Sequence, residues 1–118
     1  MLELYGITNC DTVKKARAWL LEQGIAHRFH DFKKSGVSSD QLRVWAQAVG
    51  QDRLLNRQGT TWRKLSPEQQ ASADESSGAL ALMQAQPSLI KRPVAAWPDG
   101  QISVGFKAED WARRAGRL

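Results

Sequence analysis

Apolar positions at the start of the chain switch from a short run to a helical period. Leu2 and Leu4, with Ile7 at the margin, form a run that Gly6-Ile7-Thr8-Asn9 ends, after which Val13, Ala16 and Leu20 recur at helical spacing. This pattern predicts a strand, a tight turn and an amphipathic helix, with Gly24 as C-cap and Ile25–Phe32 as a second strand. A strand, a helix of about four turns and a second strand make a right-handed crossover, so the two strands are expected to be parallel.

Beyond a polar loop at Lys33-Lys34-Ser35-Gly36, Ser38 or Ser39 can cap a helix through Leu42, Val44, Trp45, Ala46 and Val49 to Gly50. A turn over Asp52–Asn56 and a loop over Arg57–Leu65 follow, with Trp62 and Leu65 free to pack back on the helices. Ser66-Pro67-Glu68-Gln69 is a helix start. Another helix is predicted over Ser77–Ala85, its apolar side made by Leu80, Leu82 and Met83. Pro87–Trp97 reads as extended, Pro98-Asp99-Gly100-Gln101 as a turn, and Ile102–Val104 as the returning strand of a hairpin. A last helix over Ala108–Arg114 turns Trp111 inward. A parallel pair joined to an antiparallel pair, with helices between and after, is an α/β domain of thioredoxin type; a flavodoxin-like sheet needs more βαβ units than the chain supplies.

The length of 118 residues fits one domain, and 42% apolar with 25% charged residues suits an ordinary soluble protein. No apolar run is long enough to span a membrane and no signal-peptide pattern opens the chain, so a cytoplasmic location is expected. A single cysteine makes no internal disulfide, and any redox chemistry needs a second sulfur from elsewhere. The net charge of +5 favours anionic partners: nucleic acid, an acidic peptide or a small anion such as glutathione. The cations are scattered, however, and the five Trp are more economically core than base-stacking platforms, so direct nucleic-acid binding is not expected. Monomer is the default.

Composition leaves one chemically distinctive position, Cys10, where turn becomes helix. Free amides and the positive end of the helix dipole stabilise a thiolate, the form that attacks. Lys14, Lys15 and Arg17 add positive charge where a helix start normally favours acids, and Asp11 works against them. These features favour a reactive thiol over a small buried hydrophobe. Cys10 also lies beyond the carboxyl end of the first strand, where open α/β sheets place their crevices. In a thioredoxin-like sheet the strand opened by Arg92-Pro93 pairs with the first, so Arg92 and Cys10 are expected to meet. Taken alone, Arg92 reads equally as a solvated residue before a turn proline, and the isomer of its bond to Pro93 is open. His27 and His30 fall on opposite faces of a strand and read as ordinary histidines; no metal site is expected.

Tyr5–Ala16, with its Asn9-Cys10-Asp11-Thr12-Val13-Lys14-Lys15 run, together with Leu54-Leu55-Asn56, Leu89–Val94 and Val104-Gly105-Phe106, resembles the arsenate reductase-like family. That family includes glutaredoxin-coupled arsenate reductases, Spx regulators and proteins of the YffB type. The resemblance implies a thioredoxin-like core (1–36 and 87–118) with a helical insertion (37–86), a nucleophile at Cys10, Arg92 beside it, and a cis bond at Pro93. Spx proteins that sense oxidation carry a second cysteine where Val13 stands. For one arginine of the arsenate reductases Arg57 is the nearest candidate, with Arg63 a rival; for another, in the Val104-Gly105-Phe106 stretch, there is only the neighbouring Lys107. The YffB type fits best.

The expected activity is therefore a glutathione-dependent thiol/disulfide reductase with a single cysteine. No bound cofactor is expected, glutathione being the co-substrate and an oxidised thiol or disulfide the substrate. Cys10 and Arg92 would be catalytic, and Thr8, Asn9, Thr12, Lys14, Arg57 and Pro93 substrate-binding. The alternatives are a non-catalytic Spx-like protein that binds RNA polymerase or another protein and, lower, an arsenate reductase.

Overall fold

Buried Leu2, Leu4 and Gly6 alternate with half-buried Glu3 and Tyr5 along β1 (Leu2–Gly6) in the computed structural model, which describes residues 1–116. Helix α1 (Asp11–Glu22) buries Val13, Ala16 and Leu20 completely, about 1.5–3 kcal/mol for each of the two larger side chains. It ends where Gly24, at φ 68°, turns the chain through a conformation that costs glycine nothing. β2 (His27–Asp31) then runs parallel to β1, with Leu2 opposite His27 and Gly6 opposite Asp31.

Chain order continues through α2 (Phe32–Ser35), α3 (Ser39–Val49), α4 (Gln51–Leu54), α5 (Thr60–Arg63), α6 (Pro67–Ser72), α7 (Ser76–Ala85) and a 3₁₀ turn (Pro87–Leu89). β3 (Val94–Ala96), β4 (Ile102–Val104) and α8 (Ala108–Ala115) follow. The sheet order is β2-β1-β3-β4, with β3 antiparallel to both β1 and β4. This is the mixed four-stranded sheet of the thioredoxin-like arrangement.

Two compact units divide the chain, Met1–Phe32 with the segment from Arg92 onward, and Lys33–Lys91. In the first, Leu2, Leu4, Ala16, Leu20, Ala95, Trp97 and Trp111 form the core. Trp111 meets the rings of Phe106, Trp97 and Trp19 edge-on at 4.8, 5.2 and 6.0 Å, the favoured aromatic geometry. The buried Trp97 Nε1 donates to Ser103 at 3.0 Å. In the second, Ser38 caps α3 by accepting from the Gln41 amide, and Ser66 and Gln69 form a reciprocal capping box on α6.

Several local expectations are corrected. Lys33-Lys34-Ser35 belong to a helical turn with Phe32, which is buried rather than ending β2. One-turn helices occupy the expected turn after Gly50 and part of the loop before Leu65, which is buried, whereas Trp62 is half-buried. α7 buries Ala79, Leu82 and Met83, which share a face at i, i+3 and i+4, and leaves Leu80 half-buried. Pro87–Leu89 is not extended: Leu89 N–H donates to Gln86 O and Ile90 N–H to Pro87 O, each at 2.9 Å. The next residues are tied to the second unit by the Leu55–Ile90 bridge and the Lys91 N–H to Leu54 O bond at 2.7 Å. The two compact units part at 32/33 and 91/92.

Candidate functional site

Cys10 is held by the two elements that the start of the sequence encodes. β1 ends at Gly6, the turn Ile7-Thr8-Asn9 carries the chain off the sheet, and Cys10 is the N-cap of α1, with extended backbone (φ −145°, ψ 122°). Its carbonyl accepts the first helical bond, from Lys14 N–H at 2.9 Å. A Ser or Asp there would cap the helix through its side chain, but the neutral thiol closes no cap hydrogen bond. The amides that such a cap would satisfy instead favour the anion.

Arg92 reaches the same sulfur because β3 pairs with β1, placing the chain just before Val94 next to the end of the first strand. Partial burial works to raise the Cys10 pKa. Against it act the Val13 amide, the Arg92 guanidinium through both a hydrogen bond and its charge, and the Thr12 amide, and the net is a thiol more acidic than usual. Arg92 Nε is itself buried. Pro93 is buried, and the Arg92–Pro93 bond is cis.

The other expected site residues differ in their surroundings. Thr12 lies on the exposed first turn of α1 and contributes its backbone amide; Asn9 and Lys14 are exposed. Thr8 donates its hydroxyl hydrogen bond to Asp31 Oδ2 at 2.8 Å, pinning the turn to the end of β2. Asp31 carries no local signal in the sequence; the parallel register sets it opposite Gly6. Arg57 belongs to the second unit, where it pairs with Asp52 at 3.2 Å and lies 5.4 Å from the centre of the Trp62 ring. Its rival Arg63 donates to Gln58 O at 3.2 Å.

His30 accepts a structural role, with its Nε2 2.7 Å from Glu3 Oε1 and its ring stacked on Tyr5 at 4.6 Å. His27 Nδ1 lies 3.1 Å from Ile25 O. Among the described residues no group of three or more His, Cys, Asp or Glu is placed to hold a metal. Among those residues, too, no helix is long and apolar enough to cross a membrane.

The chain is similar to proteins of known sequence and structure. The chain is 39% identical over 111 residues to an uncharacterized protein of Haemophilus influenzae, covering 94% of this chain and 96% of that one. The solved structure of a YffB protein superposes with a TM-score of 0.91 at 47% identity, over 97% of this chain and 98% of the other. The global transcriptional regulator Spx of Listeria innocua is 27% identical over 116 residues, 97% of this chain and 86% of Spx. Residues 5–114 match the ArsC family model, a span holding the end of β1, Cys10, Arg92 and most of α8, and the chain belongs to the ArsC family, the arsenate reductase-like proteins.

Proposed function

We propose that the protein is a single-cysteine thiol/disulfide reductase that uses glutathione as its external thiol. The observation that carries this reading is the placement of the Cys10 sulfur among the Val13 and Thr12 amides and the Arg92 guanidinium, which together make it acidic. A thiolate attacks disulfides, and a chain with one cysteine needs an outside thiol to be regenerated.

The sequence of bonds is short. Cys10 thiolate attacks the glutathione sulfur of a mixed disulfide; a new S–S bond joins Cys10 to glutathione, and the substrate sulfur leaves as a thiolate that takes a proton from water. A second glutathione thiolate then attacks the glutathione sulfur of the adduct, releasing oxidised glutathione and restoring the Cys10 thiolate. The substrate sulfur is reduced, and two glutathiones are joined by one disulfide. Arg92 supplies a guanidinium fork for a carboxylate of the tripeptide and holds the Cys10 anion between turnovers. Thr8 takes part as a positioning residue through Asp31, and Asn9 and Thr12 are the exposed polar side chains nearest in sequence to the sulfur.

Reduction of a glutathione mixed disulfide in the presence of reduced glutathione tests this. Wild type is expected to turn over and to show an intact-mass glutathione adduct that reduced glutathione removes. Cys10→Ser is expected to lose both while keeping its circular-dichroism spectrum. Activity retained by Cys10→Ser refutes the assignment.

The 27% identity to Spx favours a second reading, a protein-binding role with RNA polymerase as the partner the likeness suggests. Recovery of polymerase from lysate in equal amount by wild type and Cys10→Ser would support it. Arsenate reduction ranks lower: Arg57 is engaged with Asp52, and no arginine stands in Val104-Gly105-Phe106.

A further inference from the structure

Helix α1 carries more than the nucleophile at its start. Lys14, Arg17 and Leu21 follow Cys10 by four, seven and eleven residues, which on a helix of 3.6 residues per turn keeps all of them within about 40° of one line. The buried side of the helix, Val13, Ala16 and Leu20, lies off this line. The stripe is exposed along its length: Lys14 and Arg17 are open to solvent, and Leu21 is 79% exposed.

Its charges are not spent on the protein. Asp11, three and four residues before Lys14 and Lys15, forms an ion pair with neither, and among the described residues the Lys14 side chain has no partner. Arg17 lies over the Phe29 ring with its guanidinium carbon 4.3 Å from the centroid and meets no carboxylate among those residues. That stacking fixes the guanidinium beside the helix without neutralising it. Lys14, at the first turn of α1, is a cation near the positive end of the helix dipole, and Arg17 lies one turn further along the same exposed face.

We propose that the Lys14–Arg17–Leu21 stripe is a docking surface for a protein substrate whose oxidised cysteine is flanked by acidic residues and then by an apolar one. The surface rests on the reading of Cys10 as nucleophile and names the substrate class for that site. It extends about 16 Å from Cys10 at 1.5 Å per residue, the span of about five residues of extended chain. Carboxylates of the bound segment meet Lys14 and Arg17, and its apolar side chain covers Leu21. Lys15, about 140° around the helix from Cys10, takes no part.

The test separates binding from chemistry. Fluorescein-labelled peptides with Ser in place of the reactive cysteine, flanked either by Asp and Glu or by Asn and Gln and ending in Leu, are titrated with the full chain and read by fluorescence anisotropy. Wild type is expected to bind the acidic peptide about fivefold more tightly than the neutral one, the worth of two exposed ion pairs, with the difference shrinking at high salt. Lys14→Glu is expected to remove the preference and Lys15→Glu, an identical change in net charge, to keep most of it. Leu21→Ser weakens both peptides equally. Equal binding of the two peptides by wild type, or equal loss in Lys14→Glu and Lys15→Glu, overturns the docking surface. Turnover of the matching glutathionylated peptides is measured in parallel: a binding preference without turnover upholds the surface and refutes the reductase reading, and turnover without preference does the reverse.

Discussion

Substituting Gly6 by Ala probes how closely the helix that bears Cys10 is seated on the strand before it. A β-carbon at Gly6 would lie 2.8 Å from Val13 Cγ2 and 3.5 Å from Val13 Cγ1, with Phe29 Cε1 at an ordinary 3.7 Å. Carbon atoms pack at roughly 3.5–4.0 Å, so Val13 must retreat by about 0.7 Å or more. Val13 is fully buried and has little room to do so. Overpacking of this kind costs about 1–3 kcal/mol. Gly6 has no positive φ, so alanine also gains about 0.4–1 kcal/mol through the unfolded chain. The net expectation is a loss of about 1–2 kcal/mol in urea unfolding. Val13→Ala alone removes two buried methyls and costs about 2 kcal/mol. The double variant relieves the clash and should be no less stable than Val13→Ala, a coupling of about 1–2 kcal/mol. Because the Val13 amide favours the Cys10 thiolate, Gly6→Ala should also slow Cys10 alkylation near neutrality, and Val13→Ala should restore it in the pair. A Gly6→Ala cost below about 0.3 kcal/mol, or strict additivity, refutes the close seating of α1 on β1.

Arg92→Gln removes the hydrogen bond and the charge that lower the Cys10 pKa, so the pH profile of alkylation by iodoacetamide should move to higher pH; an unmoved profile shows that the helix amides suffice. The lowered folded-state pKa of Cys10 also stabilises the fold at high pH. The stability of wild type relative to Cys10→Ser should rise as pH climbs through that pKa and level off above the ordinary thiol value, and fall back on the acid side. Glu3, held below the ordinary carboxylate range first by its hydrogen bond to His30 and then by Arg28, stabilises the fold above its unfolded pKa. The advantage of wild type over Glu3→Gln should vanish as pH falls through the lowered value, and an acid-side advantage would contradict the pairing. Trp111→Ala, which empties a fully buried site ringed by Trp19, Trp97 and Phe106, should cost about 3–5 kcal/mol in urea unfolding, with a loss under about 1 kcal/mol inconsistent with that packing.

The sequence by itself determined the elements whose signals are local. The β1–turn–α1 unit follows from an apolar run, a glycine and a helical period, and it is enough to put Cys10 at a helix start. Ser38, Ser66 with Gln69, and Gly24 mark helix ends by side-chain chemistry or backbone freedom that works within a few residues. Pro98-Asp99-Gly100 likewise sets the hairpin between β3 and β4. Tertiary structure decided what depends on partners far along the chain. Pro87–Leu89 reads as extended from its prolines, but its backbone bonds close a 3₁₀ turn beside the Leu55–Ile90 bridge. Phe32 leaves the strand because a buried position holds its ring, and Ala79 displaces Leu80 from the buried side of α7 because orientation, not hydrophobicity, selects what a helix buries. Thr8 looks available to a substrate until the parallel register of β1 and β2 brings Asp31 to its hydroxyl. Arg57 is a lone basic residue in the sequence and an ion-paired one in the fold. Arg92 is eighty-two positions from Cys10 and carries no local mark of its role. The pairing of β3 with β1 alone puts a guanidinium against the sulfur, because electrostatics acts through distance in space and a sequence records distance along the chain.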